Sequence, residues 1–236
     1  VSETASEQDL DAQFRRLPDG AAAAERRAAL ARYREAGLPT PRQENWRYTD
    51  LKRLASTAFE FAPDVPGADT ATAVAALLAR HGLDERRPRL VFIDGHELPE
   101  LSDTSAEASR CIGNLAADYS GFVRHYADKI TVEDHPLASL NTAFVQQGPA
   151  IRVPPGIRVS APLHLVFVAS ERDRMAPQPR VLIELGAEAE LTVIEHWLDC
   201  GDPAGWINSV TQIMQAEGSR LELYRIQEHG AEQTHT

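Results

Sequence analysis

The chain has 236 residues, 43% of them apolar and 25% charged, the composition of a folded globular protein long enough for one large domain or two ordinary ones. A net charge of −11 repels phosphate backbones and sets general nucleic-acid binding aside. Two cysteines, Cys111 and Cys200, exclude a disulfide framework and a cluster held by four thiolates of this chain alone.

The first residues, VSETASEQDL, are polar and acidic, unlike a signal peptide or a basic transit sequence. No apolar run reaches the ~20 residues of a membrane-spanning helix, so a cytoplasmic protein is expected. The run AAAAERRAALARYREA predicts a helix over 21–36, stopped by Gly37 and Pro39. The stretch PTPRQENWRYTDLKRL follows, with Trp46 and Tyr48 set among basic residues. Two rings of that size predict a clamp that buries both against the first helices, with Thr49 or Asp50 capping a turn near Leu51. On that reading Trp46→Ala removes ~3 kcal/mol or more; the alternative is partner contact through Arg42, Arg47 and Arg53.

A second helix is expected over 69–81, where Val74, Leu77, Leu78 and His81 keep helical spacing and Gly82 ends the run. Leu90 to Ile93 read as a strand, and Asp94-Gly95 as a two-residue hairpin turn. Helix is expected again over 116–129. Residues 1–138 thus form a helical region with a small hairpin, and residues 139–236 a second region.

From about Asn141 the segments AIRVPP, GIRVSAPLHLVFVA, RVLIEL, AELTVIEHWL, INSVTQIMQA and SRLELYRIQEH are strand-like, with no helical crossover between them. Gly156, Gly186 and Gly218 each precede an alternating apolar strand. Their spacing predicts coils of two strands, with Leu191, Val193 and Ile194 stacked on Leu221, Leu223 and Ile226. A β-sandwich of hairpins is the alternative. The end, GAEQTHT, lacks the closing coil a solenoid needs, which predicts that the fold continues past Thr236.

Candidate chemistry is sparse. His164, Glu195 and His196 suggest a cupin-like metal site, but the His-x-His pair is incomplete, and Glu195 and His196 are neighbours on one strand and point to opposite faces. Cys200 stands between Asp199 and Asp202, which disfavour its thiolate, and Cys111 reads as packing. His125, Glu133, Asp134 and His135 could support acid–base chemistry or line a solvated loop. No GxSxG, HExxH, CxxC or GxxxxGK[ST] motif occurs. No catalytic, cofactor-binding or metal residue is therefore assigned, and no enzyme activity is expected. A β-helix enzyme acting on polysaccharide through scattered carboxylates stays open as an alternative.

PRQENWRYTDLKRL, RLVFIDGHELPELS, SLNTAFVQQGPAIRVPPGIRVSAPLHLVF and PRVLIELGAEAELTVIEHW, in that order, resemble the SufB/SufD family. The WRYTDL block and the absence of cysteine at Val159-Ser160-Ala161 place the resemblance on its SufD side. The resemblance implies a right-handed parallel β-helix, incomplete here, behind a helical N-terminal region. It also implies a non-enzymatic scaffold for iron–sulfur cluster assembly, partnered with a SufB-like subunit and a SufC-like ATPase and able to homodimerise when isolated. On that view this chain holds no cofactor alone, and a cluster forms at the level of the complex.

Overall fold

The computed structural model describes residues 5–17, 23–61, 64–65, 67–86, 88–104, 106–115 and 135–236. The helix expected over 116–129, with His125, Glu133 and Asp134, lies outside these.

Two helices open the chain, α1 (Ala5–Phe14) and α2 (Ala23–Ala36). Gly37, at φ 67°, closes α2 through a bond from its N–H to the Tyr33 carbonyl, the left-handed stop that glycine adopts without steric cost. The face of α2 carrying Ala29, Leu30 and Tyr33 packs on Leu137, Leu140, Ala143 and Phe144 of a later helix, Pro136–Phe144. Buried Arg26 on that face donates to the Val145 carbonyl at 2.8 Å. The next helices are α3 (Lys52–Ser56), α4 (Ala68–Arg80) and α5 (Ala106–Ser109), so Pro136–Phe144 is α6.

The WRYT stretch departs from the expected clamp. After a 3-10 turn over Glu44–Trp46, Trp46 is half-buried against the helical core, but Tyr48 is 92% exposed. Leu51 and Leu54 supply the buried anchors instead. The 3-10 turn directs Trp46 inward and leaves the ring two residues on facing solvent. The expected cap is present in part, since Asp50 Oδ1 accepts the Lys52 N–H at 3.0 Å.

Strand β1 (Arg89–Ile93) and β2 (His96–Glu97) form the expected hairpin. Asp94 and Gly95 both have positive φ, 47° and 86°, as a type I′ turn requires. Strand β3 (Ile112–Asn114) pairs antiparallel with β4 (Pro149–Val153). Then come β5 (Leu163–Ala169), β6 (Arg180–Leu185), β7 (Glu190–Asp199), β8 (Trp206–Ile207), β9 (Val210–Gln215), β10 (Arg220–Glu228) and β11 (Thr234–His235).

From β4 onward, consecutive strands lie in different sheets. One sheet runs β10-β7-β5-β1-β2, a second β3-β4-β6-β9, and β11 pairs with β8 in a third. Every ladder link among β4 to β11 is parallel, pairing residues 163 with 193, 190 with 220, and 180 with 210. The chain therefore returns to the same place after about 30 residues. A hairpin sandwich would pair neighbours antiparallel and does not describe this arrangement. The strands of the second half begin at Pro149 rather than near Asn141, because Asn141 belongs to α6. The Asn141 side-chain amide donates to the carbonyls of Pro179 and Asn208, docking that helix on two successive coils.

The register corrects two expected details. Leu191 faces Leu221 and Val193 faces Leu223, but Ile194 meets Tyr224 and Ile226 meets His196. At the turns just ahead of β5, β7 and β10 the left-handed residues are Gly156, Glu188 and Gly218. Gly186 is needed for a different reason: a Cβ there would lie 2.5 Å from Pro155 N, so close approach excludes a side chain.

The apolar interior between the sheets holds Leu165, Phe167, Val181, Ile183, Leu191, Val193 and Trp197. Outside the first sheet, α4 packs Val74, Leu77 and Leu78 on Val91, Val166, Val168 and Leu198. At the third sheet the N-terminal strap joins the coils. Glu60 bridges Met175 in parallel, the Trp206 N–H donates to the Met175 carbonyl, and Trp206 pairs with Thr234. Gln13 braces the strap by donating to the Phe59 carbonyl and accepting the Phe61 N–H.

Candidate functional site

The three ladders reach their last strands together, at β9, β10 and β11, each with one edge unpaired among the described residues. Ile213, Leu223, Tyr224 and Ile226 are exposed on this last coil. Just beneath lies a polar rung. The parallel register places Glu195 between Leu165 and Arg225, and Trp197 between Phe167 and Gln227.

Glu195 is fully buried and accepts three bonds, from Arg225 Nε at 2.7 Å, Thr211 Oγ1 at 3.0 Å and Trp197 Nε1 at 3.2 Å. A carboxylate cut off from water is tolerated when donors and an opposite charge satisfy it. The Arg225 guanidinium also donates to Thr211 Oγ1 and lies 5.5 Å from the Trp197 ring centre. Trp197 stacks on Phe167, which stacks on Phe92, so an aromatic column crosses three strands of the first sheet. Beyond Trp197, His235 packs at 4.4 Å, and its Nε2 meets Ser209 Oγ at 2.7 Å. Its Nδ1 faces the Gln227 side-chain amide. His229 packs edge-on to His235, and neither of its ring nitrogens has a hydrogen-bond partner among the described residues.

On the outer face of the same sheet His164 Nδ1 and His196 Nε2 stand 3.1 Å apart, their rings nearly parallel. Beside them His81 Nδ1 lies 3.3 Å from Glu228. Glu195 thus points inward and His196 outward, as strand alternation requires, and the three residues of the expected metal reading are split between two faces. Among the described residues no group of three or more His, Cys, Asp or Glu side chains is placed to hold a metal ion.

Burial dominates the protonation of these groups. It pushes His164 down to about 4, with help from His196, Arg86 and Arg89. It lowers His196 against the opposing pull of Glu228, with Arg86 and His81 adding to the fall. Burial, then Arg225 and His229, take His235 down to about 3. Burial pushes Cys200 up to about 11, reinforced by Glu171, Asp94 and Asp199 and opposed by Arg80, so its thiol is a poor nucleophile at neutral pH. Cys111 is buried in the core beside Ile151 and Val181. His135 stands exposed at the start of α6.

These imidazoles give acid sensitivity of a definite sign. Each protonates less readily when folded than at its ordinary value of 6.5. The unfolded chain therefore binds more protons once pH drops below that value. No stability is lost on their account above pH 6.5, and loss accumulates down to the folded values near 4 and 3. The thermal midpoint of His164→Gln, measured against the parent from pH 7 to pH 4, is expected to fall less steeply.

Arg225, Trp197 and His235 were not singled out from the sequence, although Arg225 stands 30 residues after Glu195, the interval at which β7 and β10 pair.

The ladders and their polar rung define a mixed α/β protein whose sheets are rich in parallel strands. The SUF system FeS cluster assembly SufBD core domain matches residues 167–236. The chain is 31% identical over 195 residues to the iron–sulfur cluster assembly protein SufD of Escherichia coli, covering 79% of this chain and 41% of that protein. It is 28% identical over 211 residues to an iron–sulfur cluster assembly SufBD family protein of Synechocystis sp., covering 84% of this chain and 46% of the other. The chain belongs to the SufB/SufD family, and it spans less than half the length of these curated relatives.

Proposed function

We propose that the chain is the coil-bearing part of a non-enzymatic, SufD-like scaffold subunit for iron–sulfur cluster assembly, wound as a right-handed parallel β-helix and located in the cytoplasm. One observation carries the reading: the SufBD core match, residues 167–236, falls on the segment that builds the parallel ladders from β5 to β11. Identity to SufD over 79% of the chain supports the SufD side of the family. In this reading a SufB-like subunit pairs with the scaffold, a SufC-like ATPase supplies hydrolysis, and the cluster belongs to the complex.

A polysaccharide-cleaving β-helix would need two accessible carboxylates flanking a groove. The carboxylate that the fold isolates, Glu195, is fully buried and bonded to Arg225. The test is co-purification of the full-length protein with its SufB-like and SufC-like partners, followed by iron and sulfide assay. A stable complex that accumulates iron and sulfide is expected. A lone protein that binds neither partner and degrades polysaccharide would overturn the reading.

A further inference from the structure

Every residue from Pro41 to Asp50 is exposed except the half-buried Trp46. The loop is nevertheless held turn by turn. The Thr40 N–H donates to Gln43 Oε1 at 2.8 Å, the Trp46 N–H to the Gln43 carbonyl at 2.9 Å, and the Thr49 N–H to the Trp46 carbonyl at 2.9 Å. Trp46 anchors this frame on the helical core, and Tyr48 projects from it at 92% exposure with the Arg47 guanidinium 5.6 Å from its ring centre.

The charges on the loop are unevenly used. Lys52 pairs with Asp50, and Arg53 with Glu232. Among the described residues neither Arg42 nor Arg47 has an ion-pair partner. A ring exposed to this degree adds almost nothing to the core, and a preformed frame lowers the ordering cost of binding. Tyr, Trp and Arg are the residues that concentrate energy in protein interfaces. Free guanidiniums take carboxylates in a two-point fork.

We propose that this loop is a docking surface for an acidic segment of another protein, one that sets carboxylates beside an apolar side chain. Arg42 and Arg47 would take the carboxylates, and Tyr48 would cover the apolar group. A short peptide fits better than nucleic acid, because it needs to set carboxylates only on Arg42 and Arg47, whereas a continuous phosphate backbone would run on past Glu44 and Asp50 in the field of a chain that carries −11.

The experiment is fluorescence anisotropy of the folded chain with a labelled Asp-Glu-Leu repeat peptide, a Lys-Lys-Leu repeat and a single-stranded thymidine oligonucleotide. The acidic peptide alone is expected to bind, with affinity falling as salt rises. Arg47→Glu and Tyr48→Ala should each weaken it tenfold or more with an unchanged thermal midpoint, while the distant Arg220→Glu leaves it unaltered. The proposal is overturned if the parent fails to bind the acidic peptide, or if the loop variants bind it as the parent does. It also fails if Tyr48→Ala lowers the thermal midpoint, or if oligonucleotide binds and is lost in Arg47→Glu.

Discussion

Arg225→Met is expected to cost about 3–5 kcal/mol, the range for breaking a buried ion pair from one side. The cost falls on the partner that remains. Glu195 is fully buried and would keep only the Thr211 hydroxyl and the Trp197 indole as donors. Arg225 sits at the edge with 37% of its side chain exposed, so the reverse loss in Glu195→Gln is milder because the guanidinium can turn to water. Glu195→Leu with Arg225→Met should recover much of the stability, since an apolar pair of similar volume often replaces a buried ion pair at little cost. Urea midpoints for Arg225→Met, Glu195→Leu and the double variant give the coupling directly. Equal losses in Arg225→Met and in the double variant would show that the carboxylate is not the source of the penalty.

Trp206→Ala is expected to remove about 3–5 kcal/mol, as truncating a large core aromatic does. Trp206 is 1% exposed and meets Phe59 and Phe61 edge-on at 5.7 and 5.8 Å. Its indole N–H donates to Thr236 Oγ1 at 2.9 Å. The side chain belongs to the same buried cluster as Leu10, Leu30 and Phe144, so it ties the N-terminal helices to the coils. Limited proteolysis should cut the strap near residues 59–61 faster in Trp206→Ala, and Trp206→Phe should restore most of the protection. If the variant unfolds at the parent's urea midpoint, the helices are held elsewhere.

Local signals in the chain proved reliable. Gly37 and Gly82 end helices at left-handed positions, Asp94-Gly95 turns a hairpin, and alternation marks the strands of the coils. Each of these depends on residues a few places apart, where steric limits on φ and ψ act directly. The interval of about 30 residues was visible for the same reason, as a repeated local pattern. The short helix Pro136–Phe144 was not, because its inward residues include Ser139, Asn141 and Thr142, polar groups that read as loop until the buried bonds of Asn141 to the Pro179 and Asn208 carbonyls and of Arg180 to the Thr142 hydroxyl are seen.

The chain alone thus determined where α2 and α4 stop, which strands alternate, and that no helical crossover joins the strands of the second half, with coils and a hairpin sandwich both left open; these follow from backbone sterics and side-chain period. Only the tertiary structure decided that Tyr48 faces water, that Glu188 shares the turn role of Gly156 and Gly218, and that Arg225 neutralises Glu195 from the next coil. Those outcomes hinge on partners tens of residues away, set by parallel register, and no local preference encodes which distant neighbour a side chain will meet.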